Sequence, residues 1–204
     1  MDQQISLPKS QLLLTNSNTF SKEKVVLFLP GISGGAFSER FRPLVDLCTE
    51  LNLPIVRMSA WEGESEVQTK TWAYFQDTLA EAVEHLLQLG YTKIIAVGKS
   101  FGGGLLLSYH NPSISKKILW APAVGVGDAD TLSRLKDAML GEVPHLLDIQ
   151  IEKDFVHKDP SKVCIIHGTK DAVMPIENSR VAVAAAKDGK LAEIPDADHS
   201  FKTP

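Results

Sequence analysis

The segment IIAVGKSFGGGLLL, residues 94–107, decides the fold class of this 204-residue chain. It opens with a short apolar run, which is typical of a buried strand. Ser100 stands between Gly98 and Gly102, where the strand pattern gives way to an apolar helix pattern over 101–109. Glycines on both sides of a serine permit a sharp turn from strand to helix, which holds the hydroxyl out at the carboxyl end of the strand. Ser100 is therefore a candidate nucleophile.

The segment Gly98-Lys99-Ser100 also matches the end of the phosphate-binding loop motif of nucleotide hydrolases. That loop requires a further glycine five positions before Gly98, and this position holds Lys93. The residues between them form the apolar strand itself and leave no room for a loop. The sequence therefore disfavours a nucleotide hydrolase.

Strand and helix patterns alternate on both sides of this segment. The predicted strands are 25–30, 54–58, 93–97, 117–120, 163–167 and 191–194. The predicted helices are 41–51, with Ser38 as its cap, 66–89, 101–109 and 176–187. Parallel strands need crossover connections, and helical crossovers cover both faces of the sheet. The pattern predicts an α/β fold, a doubly wound and mostly parallel sheet with helices on both faces.

Two regions fit this alternation less well. Near the amino terminus, residues 11–15 are expected to add an edge strand and 16–18 to form a turn. Residues 122–160 are expected to form either a minimal cap over the sheet edge or an ordinary long connection with one packing helix. We expect residues 1–204 to make a single domain, since a chain of this length supports one core.

Composition excludes several classes of protein. Hydrophobic residues make up 44% and charged residues 23% of the chain, as in soluble globular proteins. The net charge is -4 and the lysines and arginines are scattered, so we expect no nucleic-acid partner. Because the chain has neither an 18-residue apolar run nor a secretion signal at its amino terminus, we expect a cytoplasmic protein without a membrane span. Cys48 and Cys164 are expected to be buried thiols, and no metal or cofactor motif is visible.

A serine hydroxyl becomes nucleophilic when a neighbouring base takes its proton and a third group orients that base. Asp171 follows the predicted strand 163–167, and His199 follows the strand 191–194. These positions favour Asp171 as the orienting acid and His199 as the base. His167 is the one serious rival base, and Asp196 and Asp198 are alternative orienting groups.

The segments 98–102, 167–171 and 198–201 resemble the nucleophile elbow, acid loop and histidine loop of the α/β-hydrolase family, and their order is that of the family. The similarity runs from about residue 24 to the end of the chain. It implies that Ser100 is the nucleophile, His199 the general base and then acid, and Asp171 the group that orients His199. In size the chain is most similar to small serine esterases and dienelactone-hydrolase-like members.

The resemblance also implies an oxyanion hole made of backbone N–H groups. Phe101 follows the nucleophile and supplies one. The loop of residues 30–35 supplies the other, for which Ile32 is our choice, although Gly31 and Ser33 stay open because the loop lacks the family's frequent His-Gly start. The chain stops at Pro204, where the family usually continues into a helix. We therefore expect either a less anchored loop around His199 or a natural protein that is longer than this chain.

Together these features predict a hydrolase, free of metal and cofactor, that cleaves a small-molecule carboxylic ester or thioester through an acyl-serine intermediate. The alternative is a non-catalytic α/β-hydrolase-fold protein that binds a ligand or a partner. Aromatic and apolar residues beyond the strand ends are candidates to line the substrate pocket, with core packing as the equal alternative: Phe37, Trp61, Trp120 and Met174. The sequence leaves the substrate and the oligomeric state open.

Overall fold

The structure is a computed structural model that describes residues 2–15, 22–124, 162–186 and 188–203. Its strands are β1 Asp2–Ser6, β2 Gln11–Thr15, β3 Lys24–Leu29, β4 Ile55–Ser59, β5 Lys93–Lys99, β6 Ile114–Trp120, β7 Lys162–Gly168 and β8 Lys190–Ile194. Its helices are α1 Arg42–Glu50, preceded by a 3-10 turn at Glu39–Phe41, then α2 Glu64–Gln68, α3 Trp72–Gln88, α4 Phe101–Ser108 and α5 Ile176–Ala185. Each predicted strand and helix outside 122–160 has a counterpart among these elements.

All eight strands join one sheet in the order β1-β2-β4-β3-β5-β6-β7-β8. The pairs β1/β2 and β2/β4 are antiparallel, and the other five pairs are parallel. The strand order reverses at β3, so that the chain builds outward from it in both directions. This confirms the predicted doubly wound, mostly parallel α/β sheet, in which ligands bind beyond the carboxyl ends of the strands.

Both faces of the sheet are covered. Along β3, Val25, Leu27 and Leu29 belong to the larger apolar cluster, whereas Val26 and Phe28 belong to a smaller one. Successive side chains of a strand point to opposite faces, so the two clusters lie on opposite sides of the sheet. This explains why the central strand reads as an unbroken apolar run, since a strand covered on one face alternates with polar residues.

The amino-terminal expectation is wrong in one respect. Residues 11–15 form a strand, but it lies inside the sheet, because β1 pairs with it in antiparallel register and takes the edge position. The segment DQQIS of β1 is polar and mostly exposed, so it has no apolar alternation to reveal it. The expected turn at 16–18 and the expected cap beyond Val124 lie outside the described residues.

The helix expected over 66–89 is two helices. Thr71 stands between them, and its hydroxyl oxygen accepts a hydrogen bond from the Tyr74 N–H at 3.1 Å, which caps α3. The expected cap at Ser38 is also wrong: Ser38 precedes the 3-10 turn and makes no side-chain capping bond. The helix α1 starts at Arg42, with Pro43 in its first turn.

The two cysteines are free thiols in different surroundings. Cys48 is buried on α1, and burial raises its pKa to about 11. Cys164 on β7 is only half-buried. In the described ranges, none of the helices combines the length and apolar character that a membrane crossing requires.

Candidate active site

Ser100 occupies the turn between β5 and α4. Its backbone angles are φ 49° and ψ −114°, in the positive-φ region that residues other than glycine rarely adopt. The Ser100 N–H donates to the Trp120 carbonyl at 2.9 Å, and the Ser100 carbonyl accepts from the N–H groups of Gly104 and Ala123, each at 2.9 Å. These three hydrogen bonds hold the strained backbone of Ser100 in place, and backbone strain that is held in this way is characteristic of functional turns.

Gly98 and Gly102 allow the strand and the helix to approach this closely. A Cβ at Gly98 would lie 2.7 Å from the Gly102 carbonyl oxygen, and a Cβ at Gly102 would overlap the carbonyl oxygen of Pro30. The obstacles are backbone atoms, which cannot move aside as a flexible side chain can. The flanking glycines are therefore a steric requirement of the turn, as the sequence pattern predicts.

Asp171 lies in the loop that follows β7, and its side chain is fully buried. Its Oδ1 accepts hydrogen bonds from the backbone N–H groups of Val173 and Met174, each at 2.8 Å. The loop is tied to the segment before His199, because the Lys170 N–H donates to the Ala197 carbonyl at 3.0 Å. The carboxylate is thus held in one orientation.

The other oxygen of this carboxylate, Oδ2, lies 2.7 Å from Nδ1 of His199. Burial alone raises the pKa of a carboxyl group, but hydrogen bonds from His167 and His199 outweigh it and hold the pKa of Asp171 well below its usual value. Asp171 is therefore ionised at neutral pH, and it is a hydrogen-bond acceptor. The Nδ1 of His199 must then carry a proton, which in the neutral ring leaves Nε2 with its lone pair free.

His167, the rival base, is fully buried. Its Nε2 lies 3.1 Å from both Asp171 Oδ2 and the Met174 carbonyl, so this nitrogen carries the proton. Its Nδ1 lies 2.7 Å from the Ser179 hydroxyl. Because both nitrogens are engaged in the interior, His167 supports the carboxylate and is not available as a base.

Asp196 and Asp198 do not orient His199. Asp196 is exposed and pairs with Lys170 at 2.7 Å. Asp198 Oδ1 accepts the backbone N–H groups of Ser200 and Lys202 at 2.8 and 2.9 Å, and so folds the loop around the histidine. Asp171 is the carboxylate that contacts the His199 ring.

Ser100 and His199 line the same cavity, of about 570 Å³, beyond the carboxyl ends of the central strands. Ile32 and Trp120 also line it. Of the other candidate pocket residues, Trp61 and Met174 are buried in the larger apolar cluster. Core packing was therefore the correct alternative for these two residues. Phe37 does not line the cavity, and its ring centroid lies 6.0 Å from the Arg57 guanidinium of β4.

Trp61, although it packs in the core, is also a candidate for positioning the loop of residues 30–35, a role that the sequence does not indicate. Its Nε1–H donates to the Gly31 carbonyl at 2.9 Å, and its ring meets Phe101 edge to face with the centroids 5.1 Å apart. The Gly34 N–H donates to the same Gly31 carbonyl at 2.9 Å. One indole therefore joins the loop of residues 30–35 to the start of α4.

Lys99, the residue before the serine, is a second position that sequence reasoning missed. Its Nζ donates to the backbone carbonyl of His199 at 3.0 Å and so anchors the histidine loop. Burial and the nearby positive charge of Arg40 lower the pKa of Lys99, although Asp171 and Asp198 oppose this. The tertiary contact spans about half the chain, which explains why no local pattern signals it.

The fold is the α/β-hydrolase fold. Est1E from Butyrivibrio proteoclasticus superimposes with a TM-score of 0.77 over 98% of this chain and 91% of its own, at 19% identity. A dienelactone hydrolase from Anabaena variabilis superimposes with a TM-score of 0.71 over 100% of this chain and 90% of its own, at 17% identity. The second of these neighbours is a hydrolase of the class that the sequence resembles. An esterase from Exiguobacterium antarcticum superimposes with a TM-score of 0.68 over 93% of this chain and 89% of its own, at 17% identity.

In sequence, the uncharacterized protein YfhR of Salmonella typhi is 25% identical over 170 residues, which cover 77% of this chain. The chain spans 58% of the length of that relative. No protein-family model matches the chain.

Proposed function

We propose that this protein is a serine hydrolase that cleaves a carboxylic ester or thioester through an acyl-serine intermediate. The observation that carries the proposal is the 2.7 Å contact between Asp171 Oδ2 and His199 Nδ1, made beside a cavity that His199 shares with Ser100. A strained serine, a histidine and a fixed carboxylate are the three groups that acyl transfer requires. Structural neighbours that include a dienelactone hydrolase and an esterase support a hydrolase in general.

In the first step, Ser100 Oγ attacks the ester carbonyl while His199 Nε2 takes the hydroxyl proton. The resulting imidazolium is stabilised by Asp171, whose low pKa keeps it ionised throughout. Collapse of the tetrahedral intermediate expels the alcohol or thiol, which receives the proton from His199. Water then attacks the acyl-serine with His199 again as base, and the carboxylic acid leaves as Ser100 regains its proton.

The oxyanion of the intermediate is assigned to the N–H groups of Phe101 and Ile32. Phe101 is the first residue of α4, where the backbone N–H groups of a helix have no intrahelical partner. In a trans peptide the carbonyl and the next N–H point in opposite directions. Because the Gly31 carbonyl points at the Trp61 indole, the Ile32 N–H points away from it, and Ile32 lines the cavity. This supports Ile32 as the second donor, and its neighbours Gly31 and Ser33, which line the same cavity, are the alternatives.

The test is hydrolysis of 4-nitrophenyl esters of graded acyl length by the wild-type chain and by Ser100→Ala. We expect release of nitrophenolate from at least the short esters, and loss of about 10⁴-fold or more in kcat/KM for the variant. Ser108→Ala is the matched control, since its hydroxyl lies at the far end of α4 and donates to the Leu105 carbonyl. Turnover that survives Ser100→Ala would reject the acyl-serine mechanism.

A further inference from the structure

The cavity beside Ser100 has a marked charge asymmetry. Three cationic side chains line it, Arg40, Lys99 and Lys202. Among the described residues, no aspartate or glutamate lines it. The excess of positive charge is local to the cavity, because the whole chain carries a net charge of -4. A concave site with one sign of charge concentrates ligands of the opposite sign.

The three cations have donors to spare. The Arg40 guanidinium donates to the Gly34 carbonyl through one nitrogen and lies over the Phe41 ring, 4.7 Å from its centroid. Lys99 uses one of its three N–H donors on the His199 carbonyl. Within the part of the chain that the structure describes, none of the three cations forms an ion pair with a carboxylate.

The neighbouring Arg42 shows the contrast. It points its Nε at Asp46 over 2.8 Å on the exposed face of α1, and it does not line the cavity. Burial and then the positive charge of Arg40 lower the pKa of Lys99, whereas the charges of Asp171 and Asp198, which do not line the cavity, raise it. An anion bound between Arg40 and Lys99 is attracted to both cations, and a guanidinium presents a fork of N–H groups that matches two oxygens of a carboxylate or phosphate.

We infer that the substrate carries an anionic oxygen group, a carboxylate or a phosphate, which Arg40 binds together with Lys99 and Lys202 while Ser100 attacks the ester. The inference rests on the proposed hydrolase function and adds the substrate class. The cavity of about 570 Å³ is large enough to hold such a group in addition to the reacting ester.

The test compares two esters that differ in one charge, 4-nitrophenyl hydrogen adipate and its neutral methyl ester. We expect the wild-type chain to hydrolyse the anionic ester with a kcat/KM about tenfold higher, as one charge-assisted contact in a partly solvated site provides. Arg40→Gln is expected to bring the ratio of the two kcat/KM values to within about twofold of one, and Arg40→Glu to invert it.

Arg42→Gln is the matched control, because it removes the same charge two positions along the chain and should leave the ratio unchanged. Arg40→Lys guards against a folding defect from the lost contact with Gly34, since it keeps the charge and should keep most of the preference. A 4-nitrophenyl ester with a phosphonate in place of the distal carboxylate separates the two anionic groups, and the better substrate identifies which of them the site takes.

A wild-type ratio near one, with both esters hydrolysed in a Ser100-dependent way, would overturn the inference and leave the proposed function intact. A ratio that persists in the double variant Arg40→Gln, Lys202→Gln would overturn the assignment to these cations. Failure to hydrolyse either ester, with no covalent labelling of Ser100, would overturn the proposed function and the inference with it.

Discussion

His199 Nδ1 and Asp171 Oδ2 are 2.7 Å apart, and the same carboxylate oxygen lies 3.1 Å from Nε2 of His167. Two imidazole rings thus share one acceptor, while the other oxygen is held by two backbone N–H groups. Every strong acceptor direction of Asp171 is occupied. The immobilised carboxylate therefore fixes the tautomer and the orientation of the His199 ring.

Asp171→Asn tests this role in catalysis. An amide at this position offers an N–H as well as a carbonyl, and it gives no charge to stabilise the imidazolium, so we expect kcat/KM for a short ester to fall by about 10³- to 10⁴-fold. Asp196→Asn removes an exposed carboxylate from the same edge of the sheet, where it pairs with Lys170, and it should change kcat/KM by less than about twofold. Equal effects of the two substitutions would disprove the assignment.

The low pKa of Asp171 also has a consequence for stability. Because the folded-state pKa is depressed, the ionised carboxylate contributes stability in full above its unfolded pKa of about 3.9, and this contribution is lost as the pH falls from there toward the folded pKa. We expect the free energy of unfolding in urea to fall more steeply below about pH 4 for the wild type than for Asp171→Asn. Parallel pH profiles for the two proteins would contradict this, because they would mean that Asp171 has the same pKa in the folded and the unfolded state.

Trp61→Phe tests the positioning of the loop of residues 30–35. The substitution keeps an aromatic ring against Phe101 but removes the N–H that holds the Gly31 carbonyl. We expect kcat to fall by about tenfold or more with little change in KM, since an oxyanion contact acts in the transition state. Trp72→Phe is the control, because Trp72 also meets Phe101 edge to face, at 5.7 Å. A rise in KM alone would contradict the positioning role.

Gly102→Ala tests the steric requirement of the turn at Ser100. The added methyl group would overlap the Pro30 carbonyl oxygen, so we expect the variant to lose about 1–3 kcal/mol of stability or to fail to fold. Gly63→Ala is the control, because a Cβ at Gly63 meets nothing within 4 Å. Thermal unfolding of the two variants gives the comparison, and an unchanged melting temperature for Gly102→Ala would show that the turn can open at low cost.

The sequence predicted the sheet and the catalytic candidates because their signals are local. The apolar runs at β3 and β5, the Gly-Lys-Ser-Phe-Gly turn, and the polar segments after β7 and β8 are each visible in a few neighbouring residues. That these candidate residues lie at the same edge of the sheet follows from the parallel pairing of the strands alone. The choice of Asp171 over Asp196 and Asp198 needed the structure, since it depends on which carboxylate reaches the His199 ring.

The features that the sequence missed have two causes. The strand β1 is polar and exists through its pairing with the next strand, β2, so no apolar pattern marks it. The others depend on partners far along the chain. The contact of Lys99 with the His199 carbonyl and that of Trp61 with the Gly31 carbonyl join segments with no common pattern. The cationic lining of the cavity also depends on distant partners, because Arg40, in the 3-10 turn before α1, and Lys202, near the end of the chain, are far apart in the sequence.

Covalent labelling of Ser100 tests the central claim most directly. The folded chain is treated with a fluorophosphonate, and the intact mass and the peptide that contains Ser100 are measured for the wild type and for Ser100→Ala. We predict one adduct per chain on Ser100, formed much more slowly in Asp171→Asn and absent from Ser100→Ala. A folded wild-type chain that stays unmodified, or that carries its adduct on another residue, would contradict the account and favour a non-catalytic binding protein with this fold.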